Sequence, residues 1–386
     1  MGKLFFFGFL GLVVSWLMLH FIYSDENKLN ARKYRLDPAP ALIGALKLNE
    51  KLSKASLILE NKIVGPESMA IVDDAIYASL YDARVVKIVD GEIIASVSYS
   101  ERAQFFRDCG NFDAEPTCGR PLGIRQLSSK SLKFLVADAY LGVYLIDFND
   151  EKNPKHEEIF SSKIKINGIT PKFLNDLDII NEDEFVVSDS STRHDRRHFM
   201  EAILEHKSDG RIIHYKISTK TATVLIDKLY FPNGIQLLPD KKSLLFAECS
   251  YARIKKLNLE SKKAEMFAAN LPGMPDNIRM TERGTFWVGL AAVRHSEAPS
   301  IVDLLGAYPG IRQFLIDVIP AKLWGVISGA FKRSHAIIIE LDKNGNIIQS
   351  LHDKSGKIVD VSQVTEYKNN LYIGSFDSHS IGKLKL

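Results

Sequence analysis

The chain has 386 residues, 46% of them hydrophobic and 25% charged, with a formal net charge of +3. That is apolar material for a large core, compatible with one all-β domain. The small charge, with no basic stripe and no interleaving of aromatic and basic residues, excludes nucleic acid as an expected partner and gives no sign of an acidic one.

At the N-terminus, Leu4 to Tyr23 is broken only by Gly, Ser and His, and about twenty apolar residues suffice to span a bilayer as a helix. The following HFIYSDEN offers little to a signal peptidase, so residues 1–23 read as a retained transmembrane signal anchor and the polar 24–54, with its DPAPA, as a tether. Two signals disagree about orientation. Lys3 alone precedes the span whereas Lys28, Arg32, Lys33 and Arg35 follow it, which by the positive-inside rule favours a cytosolic body. Cys109 and Cys118 favour the opposite side, because in DCGNFDAEPTCGRP a bridge would pin an excursion between strands and would persist only in an oxidising compartment. The expectation taken forward is a Cys109–Cys118 disulfide in a single-pass type II protein, its body in the ER lumen or on the cell surface; two unpaired cytosolic thiols are the alternative. Zinc is not expected, since no second Cys or His pair stands at ligand spacing. Cys249, in LLFAECSY, reads as a buried strand cysteine without a chemical role.

From Ala55 onward, short runs rich in Val, Ile, Leu, Phe and Tyr alternate with Gly, Asp, Asn and Lys clusters, among them AIYASLY, RVVKIVD, KFLVADA, GVYLIDF, LLFAECS and LYIGSFD. This is all-β patterning at hairpin spacing. One register recurs: VGPESMAI, RPLGIRQL, KFLNDLDI, FPNGIQLL and MPDNIRM each set a variable residue before a short strand. Aligned, they stack Glu67, Leu122, Asn175, Asn233 and Asp276 in one column. Units of four short strands repeating every roughly 45–60 residues mean a β-propeller, with the innermost strands lining a central channel. The expected fold is therefore all-β, a six-bladed β-propeller over 55–386, with ASLILENKI closing the last blade onto the first. Residues 296–334 break the pattern with helix-like apolar spacing interrupted by Pro309 and Pro320. They read as a helical insertion in blade five that packs on the propeller, with a substrate lid or a membrane-touching element as the functional alternatives.

In a propeller the column residues converge on the axis. Glu67, Asn175, Asn233 and Asp276, with Asn277 adjacent, form a hard all-oxygen set that suits Ca²⁺; transition metals would prefer the His or Cys that the column lacks. A calcium ion held with one face open polarises an ester or lactone carbonyl and stabilises the oxyanion formed on hydrolysis. The bland alternative is that Asn-Gly and Asp-Asn are ordinary turn residues.

At GPES, CGRPLGIR, VADAY, SDSSTR, DGRIIHY, FPNGIQL, MPDNIR with WVGL, SLHD and LYIGSF, the chain resembles the strictosidine synthase-like family and, more distantly, paraoxonase and gluconolactonase-type propellers. The resemblance covers residue 60 to the end and implies a six-bladed propeller. In paraoxonase-like relatives a catalytic calcium is held by a Glu, two Asn and an Asp-Asn pair, matched here by Glu67, Asn175, Asn233, Asp276 and Asn277. A second calcium in those enzymes uses an Asp directly after the Glu, where this chain has Ser68, although Asp176 and the carbonyl of Ile124 remain. Leu122 and Ala139 stand where those enzymes carry a histidine pair, and Ser362 where strictosidine synthase carries its catalytic Glu. The resemblance thus implies a membrane-anchored, calcium-dependent, arylesterase-like hydrolase of small-molecule esters or lactones, without strictosidine synthase activity. The alternative is a non-catalytic membrane-tethered propeller that binds protein partners, with Ca²⁺ structural.

Other residues carry less. His295, just past WVGL, is a candidate base, with a surface histidine as the plainer reading. RHDRR at 193–197 reads as a solvated loop, with cations at the channel mouth as the alternative. Asp138 and Asp189 read as turn or cap aspartates.

Overall fold

The computed structural model describes residues 30–105, 108–331 and 334–386, together with residues 8, 11–13 and 15–16. The expected span Leu4–Tyr23 falls largely outside them, and no helix among the described residues is long and apolar enough to cross a membrane. Six four-stranded antiparallel sheets follow one another along the chain. Their first strands, Met69–Val72, Pro121–Gln126, Leu174–Asn181, Pro232–Leu237, Gly273–Met280 and Val361–Tyr367, contact one another in ring order and line the axis. This is a six-bladed β-propeller. The ring closes as expected: Ser56–Ile58 is the outermost strand of blade six, pairing antiparallel with Ile381–Lys385 so that Ser56 faces Lys383 and Ile58 faces Ile381.

Blades stack face to face, which buries the middle strands on both sides. Ser243–Glu248 and Ala336–Leu341 are buried throughout, hence their near-continuous apolar runs. Six core clusters each join two neighbouring blades, as Leu245 and Ile254 of blade four pack with Ile278, Val288 and Ile339 of blade five. Outermost strands carry charge instead: Lys155–Ser161 (KHEEIFS) leaves its first four residues exposed, which discourages edge-to-edge pairing.

The inner strands are irregular where the column residues sit. The pairing of first and second strand slips between Pro121 and Ile124, Leu174 and Leu177, Pro232 and Ile235, and Pro275 and Ile278. Each slip holds a column residue: Leu122, Asn175, Asn233, and Asp276 with Asn277. A bulge leaves residues out of the ladder and re-aims their side chains, so the recurring register in the sequence is a recurring bulge. The glycines belong to the same device. A Cβ on Gly234 would stand 2.3 Å from the Asp276 carbonyl oxygen, and one on Gly123 would stand 2.8 Å from the Asp176 Cα. Asn233-Gly234 therefore marks a close approach of the inner strands of blades four and five, and the turn alternative fails for it.

The insertion is helical and lies between the second strand (Phe286–Val293) and third strand (Ala336–Leu341) of blade five. With α1 (Phe199–Glu205) between strands of blade three, its helices α2 (Ile301–Leu305), α3 (Pro309–Val318) and α4 (Ala321–Phe331) build a cap. Arg312 of α3, fully buried, ties the cap together by donating to the carbonyls of Leu204, Arg32, Leu305 (2.9 Å) and Gly306 (3.3 Å). Its guanidinium also lies 4.7 Å from the Tyr34 ring centroid. The polar segment after residue 30 runs against the body: Asn30 and Ala31 donate backbone N–H groups to Gln313 Oε1, and Leu46 and Leu52 enter the cores of blades five and six.

Candidate metal centre

Glu67, Asn175, Asn233, Asp276 and Asn277 are all buried, none more than 5% exposed. Four side-chain oxygens among them, Asn175 Oδ1, Asn233 Oδ1, Asp276 Oδ1 and Asn277 Oδ1, have no hydrogen-bond partner. They come from three adjacent blades and sit in equivalent bulges. An unsatisfied buried oxygen costs about 1–3 kcal/mol, a heavy load for a fold stable by about 5–15 kcal/mol in all. Oxygens without donors, one of them a carboxylate's, fit a hard cation.

The surroundings fix the donors. Asn175 gives its side-chain amide to Ser190 Oγ at 3.2 Å, and Ser190 in turn donates to the Pro232 carbonyl at 2.6 Å, which leaves Asn175 Oδ1 free. Glu67 is held from both ends: its carboxylate accepts from Arg120 at 3.2 Å, and its carbonyl accepts from Ser362 Oγ at 2.6 Å. Burial holds the Asp276 carboxyl well above the usual carboxylate range, reinforced by the nearby charges of Glu67 and Asp176. Burial raises Glu67 as well, against the opposing pull of Arg120 and Arg196. A cation among these groups would favour both charged forms.

Below this layer the carboxylate and hydroxyl oxygens are satisfied, and of Arg279 only Nε has no partner. Arg279 donates to both oxygens of Asp176, at 2.8 and 3.0 Å, and to Ser68 Oγ at 3.1 Å. Ile235 N–H donates to Asp176 at 2.9 Å and Ser68 donates to Gln363 at 2.6 Å. Asp176 and Ser68, which the resemblance aligns with a second cation position, are thus both engaged by a guanidinium.

Above the oxygen layer lies an apolar cluster. Leu122 and Ala139 pack with Phe173, Phe231 and Met274, each of the last three standing two residues before a column residue, and Val302 and Ile203 of the cap close over them. Burial, with Asp276 nearby, pushes the Cys249 thiol well up, so this cysteine is inert; it lies just past its strand, in the turn Cys249–Tyr251.

Three residues invisible as site residues in the sequence matter here: Arg120, Arg279 and Glu115. Arg196, read as part of a solvated loop, donates from one Nη to both carboxylate oxygens of Glu115 at 2.9 and 3.1 Å, and its guanidinium and that of Arg120 both lie over the Tyr81 ring. The solvated-loop reading therefore fails for Arg196, whose charge acts on Glu67. His295, just past the strand Phe286–Val293, is only 4% exposed, so the surface reading fails; its ring lies 5.3 Å from His335, which is 5.3 Å from His352. Asp138 accepts from the Tyr140 and Leu141 N–H groups, and Asp189 from Phe173 N–H and Arg211, as cap aspartates do. Cys109 and Cys118 form the expected disulfide, with Cα atoms 5.7 Å apart.

Residues 175–262 match the family described as strictosidine synthase, and residues 44–88 the one described as strictosidine synthase-like, N-terminal. Adipocyte plasma membrane-associated protein of Danio rerio is 35% identical over 395 aligned positions, covering 100% of this chain and 91% of its own. The chain belongs to the strictosidine synthase-like family. Among solved propellers it is similar to a gluconolactonase of Xanthomonas campestris, with a TM-score of 0.52 and 14% identity over 92% of this chain and 97% of the other. It is also similar to a calcium-binding protein, regucalcin, of Agrobacterium tumefaciens, at 0.50 and 13% over 86% and 93%. At such identities the likeness is one of fold. Leu122, Ala139 and Ser362, the positions at which the resemblance implied missing proton-transfer groups, are all buried.

Proposed function

We propose that this chain is a membrane-anchored, calcium-dependent hydrolase of small-molecule esters or lactones. One observation carries the reading: Asn175, Asn233, Asp276 and Asn277 each hold a buried side-chain oxygen without a donor, at equivalent bulges of three adjacent blades. With Glu67 they would hold Ca²⁺. Bound there, the ion supplies polarisation of a carbonyl and stabilisation of an oxyanion. The chain's own contribution is to orient and to exclude water. Ser190 and Ser362 fix two of the ligand residues, Arg120 holds the Glu67 carboxylate, and the apolar cluster of Leu122, Phe173, Phe231 and Met274 borders the oxygens on the side where the apolar part of an ester would lie. A gluconolactonase and a calcium-binding regucalcin on the same fold support this chemistry. The disulfide and the name of the plasma membrane-associated relatives support a type II topology with the propeller in the ER lumen or on the cell surface.

The reading is tested by aryl-ester and lactone hydrolysis with purified full-length chain, before and after chelation and calcium return. Turnover lost on chelation, restored by Ca²⁺ and absent in Asn233→Ala is expected. Turnover indifferent to chelation overturns it. A melting temperature that falls on chelation in a protein with no ester turnover favours the second reading, a propeller that binds protein partners and uses calcium as a bolt.

A further inference from the structure

The cap leaves unusual side chains in water. Ile301, Leu304, Tyr308, Val318, Leu323 and Val326 are 40–69% exposed. Ile301 and Leu304 lie one turn apart on α2, and Leu323 and Val326 one turn apart on α4, so they form apolar stripes rather than scattered points. Charge is nearly missing from the same stretch. Between Ser300 and Phe331 only Asp303, Arg312, Asp317 and Lys322 are charged. Asp303 is engaged by Arg294 at 2.6 Å, Arg312 is buried under backbone carbonyls, Asp317 accepts from Gln313 at 2.9 Å, and Lys322 reaches Asp113 at 2.7 Å.

Two further observations say what covers this face. The cap is fastened to the chain where it leaves the apolar N-terminal segment: Gln313 holds the backbone of Asn30 and Ala31, and Arg312 holds the Arg32 carbonyl. If Tyr23 ends a membrane span, the seven steps to Asn30 reach at most about 25 Å, so the cap cannot stand far from the bilayer. Trp16 of the apolar segment itself packs on Phe314 of α3, ring centroids 4.2 Å apart. Apolar helices lying in an interface bury their apolar face about 5–10 Å deep.

We propose that the outer face of the helical cap, presented by α2 and α4, rests in the lipid bilayer that holds the N-terminal segment. The partner is thus a lipid surface, and the propeller is oriented with its oxygen cluster beneath the membrane-facing cap. This rests on the membrane anchoring proposed above and is independent of whether the chain hydrolyses esters.

The test uses full-length chain reconstituted into phosphatidylcholine vesicles, with a nitroxide label on Val326→Cys, on Leu304→Cys, or on Ile94→Cys as a control. Ile94 is an equally exposed apolar residue, 45%, on the outermost strand of blade one, Glu92–Val97. Cys249, the free cysteine, is buried and a poor target for labelling. The expected result is that oxygen relaxes labels 304 and 326 strongly and a water-soluble nickel chelate hardly at all, with the ratio at least about tenfold higher than at 94, as for side chains within the acyl boundary. Vesicle-bound chain whose label at 326 meets the chelate as freely as the label at 94 overturns the docking while leaving the anchor intact. Labels shielded from both relaxants show the face covered by protein, a second copy included, and also overturn it. Chain that does not float with vesicles overturns docking and anchoring together.

Discussion

Arg279 and Asp176 form a buried bidentate ion pair among the inner strands, beneath four oxygens that have no donor. The two layers differ in kind. The upper one presents negative and dipolar oxygen to an incoming cation, whereas the lower one already contains its cation, fixed to the protein. The first prediction follows from that difference. Calcium-loaded chain should carry one tightly held ion per molecule by elemental analysis; two would contradict the guanidinium's role. Arg279→Met should lower stability by about 3–5 kcal/mol, the usual consequence of leaving one member of a buried pair uncompensated. Asp176→Asn in the same background should recover part of that loss in denaturant titrations, because it removes the stranded charge.

Asp276 makes the opposite prediction about sign. Burial, with Glu67 and Asp176 close by, makes its charged form costly in calcium-free protein. Asp276→Asn should therefore leave the calcium-free melting temperature unchanged or raise it. The same substitution should erase the rise that calcium produces in the parent, where ligand at a hundred times Kd adds about 2.7 kcal/mol. Melting curves with and without calcium decide the matter: a calcium-dependent rise as large as the parent's would remove Asp276 from the ligand set.

Much of this was legible in MPDNIRM and its four relatives, because the same two-against-one bulge falls at the same place in four of these five motifs. The shared register put Glu67, Asn175, Asn233 and Asp276 in one column. The turn alternative for Asn233-Gly234 could be set aside only with the strands in place. Asn-Gly is most often a turn, and only the 2.3 Å approach of a hypothetical Cβ to the Asp276 carbonyl shows why glycine stands inside a strand. Arg279 stayed hidden for a different reason. It belongs to the same motif, but its partner is 103 residues away, and an ion pair between inner strands leaves no periodic trace. Arg196 misled in the same way, since its charge reads as solvent-facing until Glu115, 81 residues earlier, is seen to meet it.

The Cys109–Cys118 bridge closes a loop nine residues apart in sequence, with Cys118 fully buried beside Ala83 and Ala114. Chain-entropy bookkeeping for so short a ring gives ~2–3 kcal/mol. The Cys109→Ala, Cys118→Ala double variant should unfold at lower denaturant by that amount. Its calcium response should be unaltered, because Glu67 and Arg120 are held by bonds outside the loop. Stability equal to the parent's would mean that the bridge constrains little.

His206 supplies an acid-linked term. Its ring is 2% exposed, stacked 3.5 Å from the Tyr34 ring, and neither ring nitrogen has a hydrogen-bond partner. Burial, with Arg312 and Arg253 nearby, pulls its pKa down to about 3. The unfolded chain takes up this proton near the ordinary pKa of about 6.5, the folded chain only near 3, so between these values the unfolded form binds more protons. Acidification through that window must therefore destabilise the fold, by up to ~1.4 kcal/mol per pH unit from this residue. Above it the residue contributes no slope. His206→Asn keeps a side chain tolerated at the left-handed backbone there, φ 52°, while removing the titration. Its unfolding free energy should fall less steeply than the parent's between pH 6 and pH 4, whatever packing it loses at neutral pH. His352, drawn down to about 4 by burial and by the neighbouring His335, leaves a residual slope that a second substitution would remove. Parallel pH profiles for parent and His206→Asn would show that the imidazole is not held neutral in the folded protein.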